Sequence, residues 1–164
     1  MDASIICKSA QLYMGQTRTF NHSTNHLIPA FWDEFFQQWE AIQHLLVAPG
    51  TPGFHSLGIC SPLAGSEDFH YMIGFPLKDN ALSVLPTVME VRLLPEQDYV
   101  VVPAPGASEN IGKAYTYAFE TWLPQQTEWE YDNTQPDFEY YPPEFNDFQE
   151  NSMVYVYVPI RKKA

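Results

Sequence analysis

Glu139 is a carboxylate set in the middle of an aromatic run, Pro136-Asp137-Phe138-Glu139-Tyr140-Tyr141-Pro142. The aromatic residues favour a strand and the prolines close it at both ends. Alternation puts Glu139 and Tyr141 on one face and Phe138 and Tyr140 on the other. Burying an ionised carboxylate is costly unless it is paired, hydrogen-bonded or matched by a cation from outside. A solvated face is the plain alternative. If the group is enclosed, two chemistries are open to it. It can be the counter-charge for a lipophilic cation among aromatic rings, or a general base of raised pKa with a tyrosine as its donor.

Little else supports catalysis. There is no G-x-S-x-G, and neither Cys7 nor Cys60 has an adjacent histidine. His22 and His26 are four apart, but they lie in a loop that Pro29 follows, so no metal is expected. No cofactor is expected either. The formal charge of -12 disfavours a nucleic-acid partner and favours cations. From Pro124 to Asn151 there are eight Asp or Glu residues and no Lys or Arg, and Glu139 lies inside that segment. Two unpaired cysteines, an acidic N-terminus and the lack of a long apolar run lead to the expectation of a cytoplasmic chain that does not enter a membrane.

The elements that must hold Glu139 follow from periodicity. Residues from Ser4 to about Phe20 are strand-like and then polar. Phe31, Phe35, Trp39, Ile42 and Leu46 recur at helical steps, with Trp32 and Phe36 widening the stripe, so a helix is predicted from Leu27 to about Val47. Strands are predicted near Ser56–Cys60, His70–Pro76, Met89–Leu93 and Asp98–Val102, with a connector over Lys78–Val88. Ser108 is the expected N-cap of a second helix carrying Ile111, Tyr115, Ala118, Phe119 and Trp122, which Pro124 ends. Val154, Val156 and Val158 alternate with Tyr155 and Tyr157 in a final strand, followed by a solvated tail at Arg161-Lys162-Lys163.

The halves repeat. Phe36 and Trp39 match Phe119 and Trp122 at an offset of 83 residues, and the same offset carries Pro76 onto Pro159. The expected fold is a single α+β domain over residues 1–164, with pseudo-repeats at about 4–83 and 84–164. Each repeat reads strand, helix, strand, strand. Two of them give a mainly antiparallel sheet with two helices on one side and a groove between the halves.

The second half resembles the GyrI-like family, the effector-binding domain of AraC/Rob- and BmrR-type regulators and of stand-alone gyrase inhibitors. The residues carrying the resemblance are Val100-Val101-Val102-Pro103-Ala104-Pro105-Gly106, Tyr115-x-x-Ala118-Phe119-x-x-Trp122-Leu123-Pro124, Pro136–Tyr141 and Val156-Tyr157-Val158-Pro159-Ile160. The first half matches in element order only. The resemblance implies a ligand groove between the halves in which Glu139 meets a small cationic aromatic molecule, with Tyr141 beside it. It also implies that Tyr157 faces the groove and that Tyr155 takes a position acidic in a drug-binding relative. Tyr115, Phe119 and Trp122, and by symmetry Phe36 and Trp39, are either groove wall or core; Met72, the counterpart of Tyr155, has the same two readings. Non-catalytic binding of lipophilic cations is the reading adopted. A hydrolase of small electrophiles using Glu139, or a gyrase-inhibitor-like protein partner, are the alternatives. Regulators of the family carry a separate DNA-binding head, so direct contact with nucleic acid is not expected.

Overall fold

The computed structural model describes residues 2–78, 85–86 and 88–164, so much of the expected Lys78–Val88 connector lies outside the described residues. The chain forms one curled, antiparallel sheet of nine strands. They are β1 (Ser4–Lys8), β2 (Gln11–Phe20), β3 (Ser56–Pro62), β4 (Phe69–Pro76), β5 (Glu90–Leu94), β6 (Gln97–Pro105), β7 (Trp129–Tyr131), β8 (Asp137–Tyr141) and β9 (Met153–Lys162). Their order is β1-β6-β9-β8-β3-β4-β2-β5, with β7 added beside β9.

That order reads the same from both ends, which is the duplication made visible. The trio β2-β4-β3 repeats as β6-β9-β8, and register confirms it: Tyr13 faces Pro76 as Tyr99 faces Pro159, and Thr17 faces Met72 as Pro103 faces Tyr155. The leading strands are exchanged. β1 pairs with β6 of the other half, and β5 pairs with β2.

The predicted first helix is segmented. Helix α1 (Ile28–Phe36) gives way at Gln37–Gln38, and α2 (Trp39–Ile42) continues into a 3-10 turn at Gln43–Leu45. Phe31 and Phe35 of α1 are buried against β4, with Phe35 stacked on Phe75 at a centroid distance of 5.6 Å. Each such ring is worth about 1.5–3 kcal/mol of burial. Helix α3 (Glu109–Thr116) runs into a π-helical stretch at Tyr117–Trp122. Ser108 holds the N-cap position but makes no side-chain capping bond. Ala114 and Ala118 pack on Val100, Val102, Val156 and Val158, so the second half uses small residues where the first uses phenylalanines.

Two expectations change at the C-terminus. Arg161 and Lys162 are not a free tail; they extend β9 and pair with β7, a strand inside the acidic segment that the alternation did not reveal. There Arg161 meets Glu130 at 2.9 Å and Lys162 meets Glu128 at 3.2 Å, so part of the acidity is answered locally. These exposed pairs add little stability.

Candidate functional site

β8 and β3 are the two central strands where the halves meet, and Glu139 lies opposite Gly58 across that junction. Directly paired residues share a face of the sheet. Glu139 also lies opposite Val156, which packs under α3, so its face is the one that carries the helices. Helix α1 packs over the first half and α3 over β6 and β9, leaving the central strands as a floor between them.

On that floor the carboxylate is held by hydroxyls. Tyr71 donates to Glu139 Oε2 at 2.9 Å and Tyr141 donates to the same oxygen at 2.7 Å. Trp32 Nε1 donates in turn to the Tyr71 hydroxyl at 3.0 Å, and the Trp32 ring meets that of Tyr141 edge-on at 5.3 Å. Phe145 and Phe148 continue the aromatic wall, with Phe145 5.0 Å from Tyr141 and 5.1 Å from Phe148. Among the described residues no Lys or Arg pairs with Glu139. Burial pushes its carboxyl above the ordinary range, and the two tyrosine bonds oppose that rise. Protein surrounds the carboxyl group, and the residue as a whole is half-buried.

A second carboxyl adjoins it. Asp137 sits two residues earlier on the same face, opposite Cys60, and accepts a hydrogen bond from Tyr115 at 3.1 Å. Burial, with Glu139 nearby, raises it to about 7. The offset of 83 residues makes Trp32 the repeat equivalent of Tyr115, so each half lends one helix-borne donor to the floor.

Gly58 makes room for this network. A Cβ there would lie 2.2 Å from the Tyr71 hydroxyl and 2.7 Å from Glu139 Oε2. Substitution would force the acid or the tyrosine aside.

Of the predicted residues, the structure brings Glu139 and Tyr141 together and sets Tyr115 beside them through Asp137. Phe36 and Phe119 are exposed at equivalent places on the two helices, against Trp32 and Tyr131 respectively. Trp39 packs on Phe75 in the first-half core and Trp122 belongs to the second-half core. The expected grouping of Tyr155, Tyr157 and Met72 with Glu139 is corrected. Tyr157 lies opposite Phe138 and Tyr155 opposite Tyr140, so both project from the face away from the helices, as does Met72 opposite Ile59. The cause is parity: a one-residue difference in pairing decides the face of a whole strand. Sequence reasoning passed over Tyr71, Trp32, Gly58 and Asp137. The repeat offset that links Trp32 to Tyr115 was a signal for one of them.

No helix among the described residues is long and apolar enough to cross a membrane, and no group of three or more metal-ligating side chains occurs among them.

The architecture is that of a duplicated, curled antiparallel sheet with its helices on one face. The chain belongs to the GyrI-like family: it matches the GyrI-like small molecule binding domain over residues 1–161. Among solved structures, it is similar to SAV2435 bound to tetraphenylphosphonium, with 20% identity, TM-score 0.73, and 98% of this chain and 94% of that one covered. It is also similar to the EcmrR C-terminal domain, with 14% identity, TM-score 0.67, and 99% and 98% covered. A third likeness, to a hydrolase from Listeria innocua, has 8% identity, TM-score 0.61, and 97% and 91% covered. At these identities the likeness establishes the fold. A comparison with curated proteins finds no match.

Proposed function

We propose that this domain binds small lipophilic aromatic cations, with Glu139 as the counter-charge. The observation that carries the reading is a carboxylate with no Lys or Arg paired to it among the described residues, held by two tyrosine hydroxyls on Oε2 between α1 and α3. At 4 Å and an effective dielectric near 20, a cation gains roughly 4 kcal/mol from such a group before desolvation is subtracted. Trp32, Tyr115 and the exposed Phe36 and Phe119 supply faces that accept an apolar body of varied shape, each adding about 0.5–2 kcal/mol where it meets the charge. The tetraphenylphosphonium held by the structurally similar SAV2435 is a lipophilic cation of this class and is the natural probe.

Titration with tetraphenylphosphonium, followed by tryptophan fluorescence or calorimetry, tests the proposal. Saturable binding that weakens at least tenfold in Glu139→Gln is expected. Equal affinity in the two proteins would remove Glu139 from the site.

The tyrosine bonds also favour a second reading. Both fall on Oε2, leaving Oε1 to take a proton from water, and the raised pKa suits a general base. Hydrolysis of styrene oxide by the wild type, abolished in Glu139→Gln, would replace binding with catalysis.

A further inference from the structure

Strand β1 is an edge of the sheet: β6 lies on one side of it, and among the described residues no strand lies on the other. Ile5 is 45% and Ile6 39% exposed there. Edge strands are ordinarily kept from pairing by charges, proline or a bulge. None of these falls between Ser4 and Cys7, whereas β5, at the opposite edge, carries Glu90 and Arg92. We propose that β1 is a homodimerisation strand, pairing antiparallel with β1 of a second copy so that Ile5 faces the partner's Ile5 and Asp2 faces the partner's Lys8. The proposal does not rest on the reading of Glu139.

Parity limits the registers. Ile5 pairs with Val100 on the helix-bearing face, and Ser4 and Ile6 pair with Val101 and Tyr99 on the other. Alternation adds Asp2 and Lys8 to the second group. Residues set directly opposite share a face, so a sheet continued across a twofold axis pairs odd positions with odd and even with even. The axis can then pass at Ser4, Ile5 or Ile6.

Charge chooses among the three. The Lys8 ammonium lies 5.1 Å from the centre of the Tyr13 ring, and burial lowers its pKa to about 8. Neither Lys8 nor Asp2 makes an ion pair among the described residues. An axis at Ser4 sets Asp2 opposite Ile6, and an axis at Ile6 sets Lys8 opposite Ser4. Both leave the charges without partners. An axis at Ile5 sets Asp2 against Lys8 at each end of the pairing and brackets the isoleucines between two ion pairs. The second copy thus supplies the carboxylate that Lys8 lacks within its own chain. Main-chain hydrogen bonds along the joined edges supply affinity, and the two charge pairs fix the register.

Sedimentation equilibrium of the full chain over a concentration series is expected to show a reversible monomer–dimer equilibrium. Asp2→Lys and Lys8→Glu should each weaken dimerisation at least tenfold, because each sets like charges opposite one another. The two changes combined should restore it. Ala3→Cys reads the register separately, since the axis at Ile5 places position 3 opposite the partner's Cys7. Directly opposed Cα atoms lie about 4.5–5.5 Å apart, within disulfide reach. Mild oxidation should therefore link the chains of Ala3→Cys, and adding Cys7→Ser should abolish the link. Within one extended strand these two positions are too far apart to meet. The cysteine measurement leaves both charges in place and decides the matter if Lys8→Glu does not fold. A chain monomeric throughout the series, a dimer indifferent to both charge changes, a folded double variant that does not recover, or no cross-link in Ala3→Cys would each overturn the proposal.

Discussion

Gly58 and Glu139 face each other across the central strands, and each is the other's counterpart in the duplicated fold. The register makes the equivalence explicit. Gly58 pairs with Ile73 in the first half, and Glu139 pairs with Val156, 83 residues beyond Ile73, in the second. A pseudo-twofold axis therefore runs between them. Side chains on both would compete for one space, so the repeat resolves the conflict by placing a carboxylate on one strand and nothing on the other.

Gly58→Ala is accordingly expected to damage the site more than its size suggests. The new methyl would press on the Tyr71 hydroxyl and on Glu139 Oε2. Overpacking of this kind costs about 1–3 kcal/mol in stability. Urea denaturation should register that loss, and tetraphenylphosphonium affinity should drop at least tenfold. A variant as stable and as competent as the wild type would show that the network relaxes freely.

The duplicated sheet and its helices were legible because helical stripes, closing prolines and the 83-residue offset are local signals. Glu139 was legible for a similar reason: a lone acid among aromatic residues breaks the strand's composition. What surrounds it was not. Tyr71 reaches Glu139 from β4 across β3, and only the register reveals that. The valine face of β9, not its tyrosine face, shares the side of Glu139, and alternation within one strand carries no information about its neighbour's parity. β7 is three residues long, too short for a periodic pattern, and its partner is the tail that charge alone marks as solvated.

Tyr71→Phe and Tyr141→Phe each delete one hydrogen bond to the Glu139 carboxylate. Those bonds stabilise the ionised form, so without either one the carboxyl titrates at still higher pH. The pH profile of tetraphenylphosphonium binding should shift toward alkaline values in both variants, with affinity largely restored at high pH. A loss independent of pH would assign the tyrosines to packing instead.

Trp32→Phe keeps an aromatic ring beside Tyr141 but removes the indole donor to Tyr71. A neutral hydrogen bond is worth about 0.5–1.5 kcal/mol net, and a comparable fall in stability is expected. Because Trp32 adjoins the carboxylate network and Trp39, Trp122 and Trp129 do not hydrogen-bond to it, most of the ligand-induced change in tryptophan emission should vanish with this variant. An undiminished signal would place the ligand elsewhere.

Asp137 sets the pH dependence of the folded state. Its folded carboxyl is raised by burial from the ordinary 3.8 to about 7. Folded chains therefore keep a proton that unfolded chains release, and stability is highest below about pH 4 on account of this group. It falls as pH rises through the interval from about 4 to about 7, and above that interval the penalty is complete, on the order of 4 kcal/mol. Asp137→Asn keeps an oxygen for the Tyr115 hydroxyl and has no proton to lose. The variant should be more stable than the wild type at pH 8, equal to it near pH 4, and flatter between, as measured by thermal or urea unfolding. Cation binding should run the opposite way in the wild type. Deprotonation of Asp137 beside Glu139 adds negative charge to the floor, so affinity for tetraphenylphosphonium should rise across the pH range in which stability declines. Parallel rather than opposed trends would mean that Asp137 does not feel the bound cation.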